Sequence, residues 1–156
     1  MGPSGSRTSR HIVLDANVVA AWSFLEADTA KARQVLALIA NGQLSVSVPD
    51  LFWAEFQQIC GKKLHEEGLP DSDVELAYRD AALLPLSEVP VLTSLRERAW
   101  EFRRRLAIGS YDAYYVALAT ELGVELWTLD RQLRDRAKGD AIVANRVRLV
   151  GVDVLS

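Results

Sequence analysis

The sequence has little of what cross-linked or zinc-binding domains require. Its 156 residues include one cysteine, Cys60, and two histidines, His11 and His65. One cysteine cannot form an internal disulfide, and neither histidine has a partner at the spacing of zinc ligands. We therefore expect a cytoplasmic protein without a zinc centre, in which Cys60 is a core residue and both histidines are structural or exposed.

Long apolar runs are also missing. Uncharged stretches such as 36–49 are short and contain Asn41, Gly42 and Gln43, so they do not predict a membrane span. The opening residues 1–10, MGPSGSRTSR, lack the apolar segment of a secretory signal. We interpret residues 1–10 as a flexible tail or cloning remnant and expect no association with membranes.

An overall basic charge, the usual sign of a nucleic-acid-binding protein, is absent, since the net charge is −3. Acidic residues dominate the first half: residues 11–90 hold 5 Lys and Arg against 12 Asp and Glu, whereas residues 91–156 hold 11 against 9. A polyanionic ligand would therefore have to be met by a local basic patch or by metal ions.

What is present is an alternation of strand-like and helical segments. With 49% apolar residues the chain can bury a core. Strand patterns are predicted at 11–15, 45–49, 86–91, 124–130 and 147–152, and helical patterns lie between them, with Asp50 and Ser110 expected as helix N-caps. The alternation predicts a single domain over residues 11–156, with a three-layer α/β/α fold around a central parallel sheet of four to five strands.

Four carboxylates occupy similar places in this pattern. Two follow predicted strands directly and two lie in the first or second turn of a helix that follows a strand or a glycine break; they are Asp15, Asp130, Glu55 and Asp112. Ligands of parallel α/β sheets bind beyond the carboxyl ends of the strands. We therefore expect these acids to meet in one pocket.

Converging carboxylates repel one another unless a cation lies between them. Oxygen ligands select hard cations, and Mg²⁺ or Mn²⁺ held by a few Asp and Glu is the usual arrangement for phosphate chemistry. The predicted cofactor is one or two Mg²⁺ or Mn²⁺ ions per site.

Four motifs follow one another along the chain: LDANVVAAW at the first strand, Glu55 in the helix after the second strand, YDAYYVALA, and WTLDRQL. Together they resemble the PIN domain family, specifically the VapC toxins of toxin–antitoxin pairs. Each motif is weak alone, but the order and spacing of all four are specific. The resemblance covers the chain from His11 onward, and every acid of the family pattern has a match.

The resemblance implies a metal-dependent endoribonuclease that hydrolyses RNA with an activated water and leaves 5′-phosphate and 3′-hydroxyl ends. It further implies inhibition by a cognate, VapB-like antitoxin and assembly as a homodimer. The implied catalytic and metal-binding residues are Asp15, Glu55, Asp112 and Asp130, supported by Asn17 and Thr128.

Plainer roles remain open for each of these residues. Asp15 and Asp130 are each placed to cap a helix, and Asp112 to stabilise a first turn. Asn17 is equally suited to orienting Asp15 or capping a helix, and Thr128 is a good strand residue.

Basic and aromatic side chains in the second half allow similar alternatives. Arg103, Arg104 and Arg105 point about 100° apart on a helix, which favours a solvated face pairing with Glu97 and Glu101 over a phosphate clamp. Some residues of a later basic cluster are placed to reach an RNA backbone; the cluster comprises Arg131, Arg134, Arg136, Lys138, Arg146 and Arg148. Trp22, Phe24, Trp53 and Tyr115 are expected in the core or a dimer surface rather than as base-stacking platforms.

Two other functions fit parts of the sequence. One is a haloacid-dehalogenase-like phosphatase with Asp15 as nucleophile, which is disfavoured because Asn17 replaces the second acid of that motif. The other is a catalytically silent PIN module that assembles with a partner.

Overall fold

A computed structural model of the protein describes residues 9–156. The predicted tail or cloning remnant at residues 1–10 therefore falls largely outside the described residues. Arg10 is an exception, because it is the first residue of a strand and lies in register with Leu44 of the neighbouring strand. Within residues 9–156, no helix combines the length and the apolar character needed to cross a membrane.

The core of the fold is one five-stranded parallel sheet. Its strands are β1 (Arg10–Leu14), β2 (Leu44–Pro49), β3 (Leu86–Val89), β4 (Glu125–Thr128) and β5 (Val147–Leu149). The spatial order is β3-β2-β1-β4-β5, and every neighbouring pair is parallel. The predicted parallel sheet is thus confirmed.

Seven helices flank the sheet in the described part of the chain, in agreement with the predicted α/β/α fold. They are α1 (Ala16–Ser23), α2 (Thr29–Ala40), α3 (Phe52–His65), α4 (Asp71–Ala82), α5 (Thr93–Leu106), α6 (Ser110–Leu122) and α7 (Arg131–Lys138). Helix α6 contacts β1, β2 and β4, and α5 packs on α6. Helix α1 packs against α2, α3 and α4.

Burial explains why the central elements form where they do. Ile12, Val13 and Leu14 of β1 are fully buried, as expected for a strand covered on both faces. Helix α6 buries the run 115–119 and closes at Gly123, whose positive φ of 67° suits glycine. Cys60 lies in the core, as predicted.

Two predicted helix caps are wrong. Asp50 is exposed, and its backbone N–H instead donates to the carbonyl of Val89, extending the β2–β3 pairing, so α3 starts later with Leu51 at the N-cap. Ser110 is already the first residue of α6, and the extended backbone of Gly109 forms the cap.

The strand order places a switch point between β1 and β4. The chain runs outward from β1 through β2 to β3, then returns to the other side of β1 as β4 and β5. Loops leaving the carboxyl ends of β1 and β4 therefore diverge, which opens a crevice between them. Asp15 follows β1, and Thr128 is the last residue of β4.

Candidate metal centre

Asp15 lies at the carboxyl end of β1 and is 3% exposed. Its Oδ1 accepts a hydrogen bond from the backbone N–H of Asn17 at 3.4 Å, which caps α1, and its Oδ2 accepts from the hydroxyl of Thr128 at 2.9 Å. The cap and the pocket roles of Asp15 are therefore compatible. Both contacts fix the carboxylate in one orientation.

Asn17 and Thr128 form a network behind Asp15. The amide Nδ2 of Asn17 donates to Thr128 Oγ1 at 3.2 Å, and Asn17 Oδ1 accepts from the backbone N–H of Leu129 at 3.2 Å. The backbone N–H of Asp130 donates to Thr128 Oγ1 at 3.0 Å. These bonds tie the end of β4 to the start of α1 and hold Asp15 from behind.

Glu55 lies in the first turn of α3, not in the second as predicted, because the helix starts at Phe52; the residue is half-buried. Its Oε1 accepts a hydrogen bond from the hydroxyl of Tyr115 at 3.0 Å. Tyr115 itself is fully buried in α6, as its expected core position predicts. The contact with Glu55, which the sequence does not predict, adds a positioning role to that core position.

Asp112 and Asp130 occupy the remaining helix starts. Asp112 lies in the first turn of α6, and within residues 9–156 its carboxylate accepts no side-chain hydrogen bond, so its oxygens are available to a ligand. Asp130 caps α7, with Oδ1 accepting from the backbone N–H of Leu133 at 3.1 Å. The predicted capping role of Asp130 is therefore confirmed.

Three of the predicted acids line one cavity of about 260 Å³. Asp15, Glu55 and Asp112 lie on its wall, whereas Asp130 does not line it but acts electrostatically on Asp112. The wall also includes Asn17, Gln58, Ile59 and Lys62. Gln58 and Lys62 were missed, although their positions three and seven residues after Glu55 place them on the same helix face.

The pKa values of the three acids are raised by their surroundings. Burial is the largest cause for each: it raises the pKa of Asp15 well above its usual range, with the charges of Glu55 and Asp112 adding to the rise. Burial and Asp112 raise the pKa of Glu55 to about 7, against the lowering effect of the Tyr115 hydrogen bond. Burial and the charge of Asp130 raise the pKa of Asp112 to about 6. The cavity is thus a carboxylate cluster short of positive charge.

The donor set fits a hard divalent cation. Every acidic group on the wall offers only oxygen, the ligand type that Mg²⁺ and Mn²⁺ prefer. A cation would favour the charged carboxylates, which burial and mutual repulsion disfavour. As the side chains stand, no three or more His, Cys, Asp or Glu groups within residues 9–156 are gathered tightly enough to hold an ion. Ion binding would therefore draw the carboxylates closer together.

The histidines take no part in this site. His11 and His65 are both exposed, as predicted, and His11 Nε2 is hydrogen-bonded to Ser47 Oγ at 2.7 Å.

Several arginines of the predicted basic cluster are structural. Arg134 is buried and pairs with Asp153 at 3.0 Å, Arg146 donates to the carbonyl of Val124 at 2.7 Å, and Arg148 pairs with Glu125 at 3.0 Å. These three guanidinium groups are engaged within the fold, so the expectation of RNA contact does not extend to them.

The arginines of α5 pair only in part as predicted. Arg105 pairs with Glu101, as expected, and with Asp140, whereas Glu97 pairs with Arg96. The guanidinium of Arg104 lies over the ring of Trp100 at 5.8 Å from its centroid. Arg104 and Arg105 thus contact different partners, which does not favour a shared phosphate clamp.

Comparison with known proteins agrees with this architecture. The sequence model of the PIN domain matches residues 12–139. Ribonuclease VapC9 of Mycobacterium tuberculosis is 38% identical over 97 residues, covering 51% of this chain and 74% of that protein.

Solved structures share the fold at lower identity. The crystal structure of Mycobacterium tuberculosis VapC20, a toxin that cleaves the sarcin–ricin loop, aligns with a TM-score of 0.61 and 19% identity over 80% of this chain and 93% of that one. VapBC2 of Rickettsia felis, crystallised with a DNA fragment from its promoter, aligns with a TM-score of 0.58 and 17% identity over 80% and 92%. The match to the family over most of the sequence, together with the shared fold, shows that the chain belongs to the PIN domain family.

Proposed function

We propose that the protein is a VapC-like toxin, a metal-dependent endoribonuclease that hydrolyses RNA phosphodiester bonds. The observation that carries the proposal is the convergence of Asp15, Glu55 and Asp112, from three separate elements, on one cavity at the carboxyl edge of the sheet. Membership of the PIN domain family and the 38% identity to a VapC ribonuclease support the same activity.

In this proposal the acids hold one or two Mg²⁺ or Mn²⁺ ions. Asp15, Glu55 and Asp112 are the principal ligands, and Asp130 completes the site from the end of β4. An ion held by these carboxylates would supply neutralisation of the phosphate charge and activation of a water molecule. No protein side chain is needed as general base, in keeping with the two histidines lying outside the site.

The surrounding residues prepare the carboxylates for this task. Thr128 and Asn17 hold Asp15 in one orientation, and Tyr115 holds Glu55. The hydrogen bonds to Asp15 and Glu55 also favour their charged forms, and so oppose the protonation that burial promotes. These hydrogen bonds keep the two carboxylates oriented and favour their charge, although the acids must still move closer together to hold an ion.

Restraint by a protein partner is part of the proposal. Structural relatives include a toxin–antitoxin complex from Klebsiella pneumoniae and VapBC2 of Rickettsia felis. By this similarity we infer a cognate VapB-like antitoxin, a homodimeric toxin and a cytoplasmic location.

The two alternative functions lack a supporting observation. A dehalogenase-like phosphatase needs an acid two residues after the nucleophile, but Asn17 occupies that position and its amide is bonded to Thr128 and Leu129. A silent binding module would not need three acids with raised pKa values in one cavity.

RNA cleavage by the purified protein tests the proposal. Labelled RNA should be cut in the presence of Mg²⁺ or Mn²⁺, left intact with EDTA, and carry 5′-phosphate ends at the cuts. Asp112→Asn should lower the rate by at least about 100-fold, since it removes a ligand charge from the site. Asp50→Asn, which changes an exposed acid that also follows a strand, should cleave like the wild type. Metal-independent cleavage, or full activity in Asp112→Asn, would contradict the proposal.

A further inference from the structure

Helix α3 presents two opposite charges to the same cavity. Glu55 and Lys62 are separated by seven residues, which is about two helical turns, and both line the wall together with Gln58. Lys62 is the only basic residue on the wall of this cavity within residues 9–156. The acidic cavity therefore has one positively charged side chain on its wall.

The charge of Lys62 is not used within the fold. Its side chain is exposed, and it forms no ion pair with any residue that the structure describes. The carboxylates beside it take their hydrogen bonds from Tyr115, Thr128 and the backbone of Asn17. Lys62 is thus available to an anion outside the protein.

The neighbouring residue Lys63, by contrast, has its ammonium group in ion pairs within the protein. Lys63 lies within 2.8 Å of Glu26 and 3.1 Å of Glu67, and its side chain is only 14% exposed. It does not line the acidic cavity. Lys62 and Lys63 can therefore be compared directly: both carry an ammonium group, but within the part of the chain that the structure describes Lys63 is ion-paired and Lys62 is not.

We propose that Lys62 is a substrate-binding residue, whose ammonium group binds a backbone phosphate of RNA at the mouth of the acidic cavity. This inference rests on the proposed ribonuclease function. RNA must approach a wall of carboxylates, and even with bound metal ions the cavity offers little excess positive charge. A lysine on a flexible stem can bind a phosphate as a point charge whatever the base sequence.

If Lys62 binds an RNA phosphate, removing the charge of its side chain should weaken RNA binding. Each phosphate neutralised on a single strand contributes a slope of about 0.7 to the dependence of log Kd on log salt. Lys62→Met should therefore lower that slope by about 0.7 and raise KM several-fold at low salt, with little change in kcat. Lys62→Arg should restore both values, because arginine also binds phosphate.

Fluorescence anisotropy with a labelled single-stranded RNA of mixed sequence measures the slope. Binding is followed over a range of NaCl concentrations in an Asp112→Asn background, which prevents cleavage, with and without Lys62→Met. Lys63→Met in the same background is the matched control and should keep the slope. Mn²⁺ affinity, measured by calorimetry on the protein with Asp112 intact, should not be weakened by Lys62→Met.

The outcomes separate this inference from the function on which it rests. If the wild type cleaves RNA while Lys62→Met keeps both slope and KM, the Lys62 contact is refuted and the nuclease proposal stands. A Lys62→Met variant that loses Mn²⁺ affinity without a change in slope would assign Lys62 to the metal site and overturn the phosphate contact. If the wild type neither binds nor cleaves RNA, both proposals fall.

Discussion

The hydroxyl of Thr128 donates a hydrogen bond to Oδ2 of Asp15 over 2.9 Å, although the two residues are 113 positions apart in the sequence. The hydroxyl oxygen of Thr128 in turn accepts hydrogen bonds from Asn17 Nδ2 and from the backbone N–H of Asp130. A hydroxyl has one proton and two lone pairs, so Thr128 is fully satisfied. One buried side chain thereby joins the ends of β1 and β4 and sets the direction of the central carboxylate.

Replacing Thr128 by valine should show how much these hydrogen bonds contribute to the free energy of unfolding. Valine preserves the shape but leaves the Asn17 amide and the Asp130 N–H without their partner, so we expect a loss of about 1–3 kcal/mol in the free energy of unfolding. Urea unfolding of the metal-free protein measures it. Thr128→Ser keeps the hydroxyl and should lose less. Equal stability of Thr128→Val and wild type would show that the junction is not a stabilising element.

Removing the Tyr115 hydroxyl should act on Glu55 rather than on the core. Tyr115→Phe deletes a hydrogen bond that lowers the pKa of Glu55, so that pKa should rise above its value of about 7. Because an ion binds the deprotonated carboxylate, the pH midpoint of Mn²⁺ binding should move upward. Calorimetric titration across pH measures the midpoint. An unchanged midpoint would show that Glu55 is not a ligand or that the hydrogen bond is absent in solution.

Metal-free stability should fall as pH rises. Glu55 and Asp112 have pKa values raised from 4.5 to about 7 and from 3.8 to about 6, so between about pH 4 and 7 the native state binds more protons than the unfolded state. The free energy of unfolding therefore decreases with pH in this window, by about 1–3 kcal/mol after allowance for partial exposure.

Chemical denaturation at pH 5 and pH 7.5 measures this dependence. The double variant Glu55→Gln, Asp112→Asn is the control and should reduce the slope, since it removes two of the three acids whose pKa values are raised. Saturating Mg²⁺ should stabilise the protein more at the higher pH. A wild-type stability that rises with pH in the absence of metal would contradict the raised pKa values.

Asp112→Asn should separate stability from activity. The substitution removes a charge that repels Asp15 and Glu55. It breaks no side-chain hydrogen bond, because the Asp112 carboxylate forms none within the described residues. The free energy of unfolding of the metal-free protein should therefore increase by about 1 kcal/mol. Thermal unfolding with EDTA present measures the gain, while RNA cleavage should be lost. A loss of several kcal/mol would instead indicate a structural role for Asp112.

Local signals in the sequence were sufficient to predict the main elements of the sheet and the acids at its carboxyl edge. The apolar run 12–14, which the structure shows to be buried, predicted β1. Asp15 and Asp130 were predicted at strand ends because each directly follows an apolar run. Such signals are short in range and depend on residue types that are adjacent in the chain. They do not depend on the order of the strands.

Features that depend on distant contacts were not predicted. The N-cap of α3 was misplaced because Asp50 pairs with Val89 of β3, and the engagement of Arg134 by Asp153 is a tertiary contact. The place of Lys62 in the site depends on the fold, which brings α3 to the same cavity as Asp15 and Asp112. Sequence periodicity fixes which residues share a helix face but not which cavity that face meets.

A crystal of the protein soaked in MnCl₂ and measured at the manganese edge shows whether these acids bind a divalent ion. We expect an anomalous peak inside the cavity lined by Asp15, Glu55 and Asp112, with carboxylate oxygens at coordinating distance, and no peak there in Asp112→Asn. A soaked crystal that diffracts well but has no peak among these three side chains would show that the cavity is not a metal site.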